Sequence, residues 1–165
     1  MNELFINQHK REKSVYKELA TYSYLRNPII IIFYIAFSIV CITGIIKSER
    51  KVVFIAAPIL FFVIMVVKYF RYIRYSFKKE MELASGELAT YTLTFFDEKI
   101  VFQSTFGTTF DIDYAIVKKV ALSKNYYFLF TNQNQVFVVK RDGFIKGEEK
   151  EFFSFIKEKC SKIQR

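Results

Sequence analysis

Few residues in this sequence are able to carry chemistry, and their spacing suits it poorly. Asp111-x-Asp113 is the nearest approach to a paired carboxylate, the arrangement that general acid–base catalysis uses. At the end of a strand it reads instead as a solvated turn, or as a charge partner for Lys118 and Lys119. His9 is the only histidine. Ser-His-Asp or Cys-His catalysis would rest on it alone, with no nucleophile elbow in the sequence, and it reads as a solvated surface residue. Cys41 falls inside an apolar run and Cys160 near the end of the chain, so neither a disulfide framework nor a zinc site follows. Gly107, Gly143 and Gly147 are isolated, which excludes a phosphate-cradling loop. No catalytic, cofactor-binding or metal-ligating set is expected, and a non-enzymatic role follows.

The remaining candidates are surface groups. Lys118, Lys119, Lys140 and Arg141, with Lys124, are expected to form a basic rim able to meet phosphoinositide-like or other anionic head groups. A merely solubilising surface is the plainer alternative. Tyr126, Tyr127 and Phe137 read as core filling on one face and a protein-docking surface on the other.

The elements that must position these groups are dominated by two apolar runs. Asn27 to Ile46 holds no charge in 20 residues, and Val52 to Val67 none in 16. As helices they measure about 30 Å and about 24 Å, against a bilayer hydrocarbon core of roughly 30 Å. Lys51 and Lys68 can snorkel, and Tyr69 and Phe70 extend the second run at the interface. The linker Lys47-Ser48-Glu49-Arg50-Lys51 is too short for anything but antiparallel neighbours. These runs are expected to form a transmembrane hairpin. Neither span carries a charge, which argues against an ion pathway through the hairpin alone.

The formal net charge of +9 is uneven. Residues 1–77 carry 11 Lys/Arg against 4 Asp/Glu, whereas residues 78–165 carry 14 against 12. The basic surplus therefore flanks the apolar runs, and nucleic acid is not an expected partner. Five basic residues on each outer flank against three in the linker favour both termini in the cytoplasm.

Four regions are expected. Residues 1–26 form an amphipathic helical segment from about Lys10 or Glu12, with Val15, Leu19 and Tyr22 on one face. It lies on the membrane surface or packs against the soluble domain, and residues 1–9 have a short strand as their alternative. Residues 27–70 form the hairpin, with spans at about 28–46 and 52–70. Residues 71–84 continue as a juxtamembrane helix with a stripe of Phe70, Ile73, Phe77 and Met81. Residues 85–165 form a β domain, because the period changes to two after Gly86. Six or seven short strands follow, among them Tyr91–Phe95, Ile100–Gln103, Thr109–Ile112, Val120–Leu122, Tyr126–Thr131 and Val136–Val139, ending at Asp142-Gly143. A closing helix runs from Glu148 to about Ile163 with Phe152, Ile156 and Cys160 on its inner stripe.

The fold class is thus membrane α plus cytoplasmic α+β, and a small curved sheet capped by one helix resembles the pleckstrin-homology superfold. The order of elements also carries a family resemblance. A polar helix ends at LRNP, a hairpin and a basic exit helix follow, then FFDEKIVFQSTFGTTFDIDYAIVKKVALSKNYYFLFTNQNQVFVVKRDGF and EKEFFSFIKEK. With motifs at Phe96 to Ile100, Tyr114 to Val120, Tyr126 to Phe130, Val136 to Phe144 and Glu151 to Ile156, the chain is similar to the bacterial YcxB-like family. It departs from that family in Tyr114, where Trp is common, and in Val139, where Pro precedes the Lys-Arg pair. The resemblance implies architecture and membrane residence, and no chemistry.

The expected function is that of an integral protein of the cell membrane whose cytoplasmic domain is a protein-interaction or regulatory module. Its partners would be membrane lipids and another protein, a second copy of the chain included. The alternative is a sensor of anionic lipid or a small ligand through Lys118, Lys119, Lys140 and Arg141. A channel or transporter subunit, or an enzyme, ranks below both.

Overall fold

The computed structural model describes residues 2–47, 49, 51–160, 163 and 164. In chain order they form β1 (Phe5–Lys10), α1 (Lys13–Ala20), a π-helical turn (Thr21–Leu25), α2 (Pro28–Lys47) and α3 (Lys51–Leu83). The β domain continues with β2 (Thr90–Phe95), β3 (Lys99–Ser104), β4 (Thr109–Asp113), a 3-10 turn (Tyr114–Ile116), β5 (Val117–Leu122), β6 (Tyr126–Thr131), β7 (Val136–Lys140) and β8 (Phe144–Lys146). It closes with α4 (Glu149–Lys159) and β9 (Ile163–Gln164).

Both apolar runs are helical. They are long and apolar enough to cross a membrane, and almost none of either is buried against the rest of the protein. Pro58 is accommodated inside α3, which runs without a break from Lys51 to Leu83. At 33 residues it is about 50 Å long, roughly 20 Å more than a hydrocarbon core needs. The two helices pack side by side with Phe61 against Phe33 and Phe37. Gly44 permits their close approach, since a Cβ there would meet the Phe54 ring at 2.3 Å.

The strands form two sheets, ordered β4-β3-β2-β1-β8 and β7-β6-β5-β9. Every pairing is antiparallel except β5 with β9. One face of each sheet meets the other around Leu93, Phe95, Ile100, Ile112, Val120, Leu129 and Val139, and α4 closes this core with Phe152 and Ile156. The i, i+4 spacing puts those two side chains on one face of α4. Phe152 stands edge-on to Phe5, Phe95 and Tyr127, the geometry that ring quadrupoles favour.

α1 is buried on two sides. Val15 and Leu19 pack on the outer face of the second sheet, against Ala121, Tyr126, Phe128 and Val138. Tyr16 and Ala20 pack against Ile73 of α3. This explains β6, whose sequence YYFLFT is apolar almost throughout: a strand covered on both faces has no need to alternate. The amphipathic helix therefore packs against the β domain.

Several expectations need correction. Within the first 26 residues the helix begins only at Lys13 and the short-strand alternative holds, because Phe5–Lys10 pairs with β2 and β8 inside the first sheet. Its inward positions are Phe5, Asn7 and His9, and two polar residues at buried sites conceal the alternation. The β unit does not end at Asp142-Gly143, since β8 follows. Gly143 is needed at that turn: a Cβ would lie 2.7 Å from the Gln8 carbonyl oxygen. α4 ends at Lys159, where Cys160 turns extended and buried. Residues 161 and 162, within the expected helix, lie outside the described residues. The helical stripe of the α3 exit is Ile73, Phe77 and Glu80; Phe70 is exposed.

Candidate functional site

A buried polar cluster lies where α3 meets the β domain. Glu80 follows Ile73 and Phe77 at helical spacing, so the face that buries those two carries the carboxylate inward with them. Glu80 is only 8% exposed. The Tyr16 hydroxyl of α1 donates to its Oε2 at 2.8 Å, and the Tyr91 hydroxyl of β2 donates to Oε1. The Arg11 guanidinium approaches the same carboxylate at 3.8 Å and lies 4.4 Å from the centre of the Tyr91 ring. Three segments thus meet on one carboxylate, and the charge that burial would penalise is satisfied by two hydroxyls and a cation.

The electrostatics follow from this geometry. Burial, and then the hydrogen bond to Glu80, raises the Tyr16 hydroxyl far above its ordinary range. The same causes push Tyr91 up to about 12. Both therefore stay protonated as donors. His9, beside Tyr91 with ring centres 6.1 Å apart, is 5% exposed. Burial, then Arg11 and Lys140, holds its pKa down to about 3. Neither ring nitrogen of His9 has a hydrogen-bond partner, nor does Arg11 Nε. The expectation of a solvated His9 is overturned: it is a neutral core residue. The cluster holds no nucleophile beside a base, and its effect is mechanical, fixing the rotation of α3 about its axis against the sheet.

The four basic residues do not come together. Lys119 pairs across from Phe130, whereas Lys140 pairs across from Tyr126, four residues away along β6 and thus about 13 Å apart along the strand. Lys119 lies over the rings of Tyr22 and Phe130, at 4.7 and 5.7 Å, while Lys118 is exposed. Lys140 pairs with Asp142 at 3.3 Å. Arg141 meets Glu149 at 2.5 Å and donates to the Lys124 carbonyl at 3.1 Å. Tyr127 donates to the same Glu149 at 2.9 Å. Arg141 is thus a strut between β7 and the start of α4.

Asp111 pairs with Lys99 at 2.6 Å on the neighbouring strand, and Asp113 accepts from the Ala115 amide to start the 3-10 turn. Neither is paired with Lys118 or Lys119 as expected. Tyr126, Tyr127 and Phe137 are all buried, so they offer no docking surface. Cys41 and Cys160 are both buried and free, and burial raises the Cys160 thiol to about 11, which makes it inert. Among the described residues no group of three or more His, Cys, Asp or Glu is placed to hold a metal ion.

The sequence reading missed the Glu80 cluster. Its signal was present in the i, i+4, i+7 spacing of Ile73, Phe77 and Glu80, a carboxylate on an apolar stripe. Its partners lie 64 and 11 residues away and follow no local pattern.

No match was found among curated proteins or among solved structures. Residues 95–156, from the end of β2 into α4, match the family model described as YcxB-like protein, so this stretch of the chain is similar to that family.

Proposed function

We infer that the chain is a non-enzymatic, two-span protein of the bacterial cell membrane whose pleckstrin-like domain docks another protein on the cytoplasmic side. α2 and α3 form the transmembrane hairpin, and the basic flanks keep both termini in the cytoplasm. Two antiparallel sheets with a C-terminal helix across the core support the pleckstrin-like reading of the domain. The length of α3 and the burial of Glu80 support a rigid stand-off: the domain is held close to the bilayer at a fixed angle.

The observation that carries docking is the edge strand β4. β4 ends the first sheet, with no strand beyond it among the described residues. Thr109, Phe110 and Asp111 on it are exposed, as is Phe106 in the preceding turn. An open edge flanked by exposed aromatics suits an extended segment of a partner, added as a further strand. The opposite sheet lacks such an edge at Lys140, where Asn7 bonds to the backbone.

A photo-crosslinking residue placed at Thr109 in the native membrane tests this. The expected result is one discrete adduct, absent when the same residue replaces exposed Glu151 on α4. Equal adducts from both positions would overturn docking at β4. A C-terminal fusion reporter active only outside the cytoplasm would overturn the orientation.

A further inference from the structure

We propose that the groove between the start of α1 and the exit of α3 binds the head group of an anionic phospholipid. The site is distinct from the four residues considered above, and it rests on reading α3 as a membrane span. The groove has a volume of about 710 Å³, and no Asp or Glu lines it. The cations of its α3 wall share one stripe with Val67: Val67, Arg71, Arg74 and Lys78 fall at i, i+4, i+7 and i+11, which brings them onto one face, beside Val66, Tyr75 and Phe77. Phe70 flanks the apolar end, and Lys13 of α1 closes the cationic end.

The groove is thus graded along the helix axis. Val67 is the last residue of the uncharged run. Arg71 and Arg74 lie about 6 and 10 Å farther out along the axis, and Lys78 about 16 Å. A head-group layer is roughly 5–8 Å thick on each side of the hydrocarbon core. Arg71 therefore stands within the head-group layer and Arg74 just beyond its outer edge, within side-chain reach of a phosphate, with Lys78 farther out and Val67 against the acyl chain.

The charges are also available. Lys78 shares a 3.5 Å contact with Glu82, both well exposed, which holds it only weakly. Lys13, Arg71 and Arg74 have no carboxylate partner among the described residues and are exposed. This contrasts with Arg141 and Lys140, both already paired within the β domain. α1 is held against α3 by Tyr16 on Phe77, so Lys13 is carried to the groove by packing. A graded pocket of unpaired cations above an apolar wall fits a phosphate that carries acyl chains better than a soluble anion.

The test is native mass spectrometry of the full chain in detergent, with added phosphatidylglycerol or phosphatidylcholine. Three proteins are compared: the unaltered chain, R71S/R74S, and a control with the same charge loss off the stripe, K79S/K118S. The expected result is a preference for phosphatidylglycerol that falls roughly fivefold per cation removed in R71S/R74S and is unchanged in the control. An equal loss in the control would make the attraction diffuse and overturn the site. Full displacement of lipid by inorganic phosphate would assign the groove to a soluble anion and overturn the lipid. An unchanged circular dichroism spectrum excludes misfolding of these exposed variants. Release of the chain from native membranes by alkaline carbonate would refute the spanning reading separately, since lipid retention is scored in detergent.

Discussion

The Tyr16 hydroxyl and the Glu80 carboxylate are joined by a 2.8 Å hydrogen bond that spans 64 residues of chain and both apolar helices. Through it, α1, itself packed on the second sheet, is tied to the exit of α3. The bond is buried and charge-assisted, so it is worth more than an ordinary surface contact. Tyr16→Phe is expected to cost about 1.5–3 kcal/mol, read by thermal melting of the full chain in detergent. Tyr16→Phe with Tyr91→Phe should cost more than the sum of the two, because Glu80 then keeps only the Arg11 contact. Simple additivity would mean that Glu80 is hydrated, and the clamp would lose its support.

His9 makes stability dependent on pH. Its folded pKa is about 3 against an ordinary 6.5. Between those values the unfolded chain binds a proton that the folded chain refuses. Stability from this group is therefore complete above about pH 6.5 and declines as the pH falls, with about 2 kcal/mol lost by roughly pH 5. His9→Phe should flatten the melting temperature between roughly pH 7.5 and pH 5. A variant profile as steep as that of the unaltered chain would assign the dependence to carboxylates.

Asn7 joins the two sheets. Its amide donates to the Lys140 carbonyl at 2.7 Å and accepts from the Lys140 amide at 3.1 Å, so one side chain substitutes for a strand pairing. Asn7→Ala leaves the Lys140 amide without its partner, while the Lys140 carbonyl keeps the Gly143 amide at 3.1 Å, and should cost about 1–3 kcal/mol. Hydrogen exchange at the Lys140 amide should accelerate more than at Phe128 in the middle of β6. Uniform acceleration would mean global loosening and not a local join.

Gly44 sets the spacing of α2 and α3. Gly44→Ala brings a Cβ to within 2.3 Å of the Phe54 ring, so the helices must separate or the ring must move. A loss of about 1–3 kcal/mol is expected from overpacking. Phe54→Ala in the same chain should recover most of it. Failure of that rescue would show that Gly44 matters for a contact other than Phe54.

Much of this architecture was legible in the residues. The uncharged runs from Asn27 and Val52 demand helices apolar on every side, since no polar face exists to turn outward. Period-two alternation marked β2, β3 and β4, and short apolar runs bounded by polar turns marked β5, β6 and β7, of which β6 is covered on both faces and does not alternate. Acidic and basic ends with Phe152 and Ile156 at helical spacing marked α4. These are local signals, written within a few residues of one another.

What tertiary structure decided is where polar residues sit. Asn7 and His9 in β1 look like surface groups in a local window, which left the N-terminal strand only an alternative, and Glu80 in α3 shows its burial only through its place on an apolar stripe. The burial of Asn7 depends on Lys140 and that of Glu80 on Tyr16, Tyr91 and Arg11, while His9 is held beside the Tyr91 ring with no hydrogen bond to its nitrogens. These groups meet only when β1 enters the sheet and α1 lies between the sheet and α3. A buried carboxylate or amide such as Glu80 or Asn7 is stable inside only where its partners are already positioned, and that condition is met by the folded arrangement alone. The sequence by itself determined the apolar helices and the strands from β2 to β7. The closure of the β domain by its N-terminus, and its fixed attachment to α3, came from contacts between distant parts of the chain.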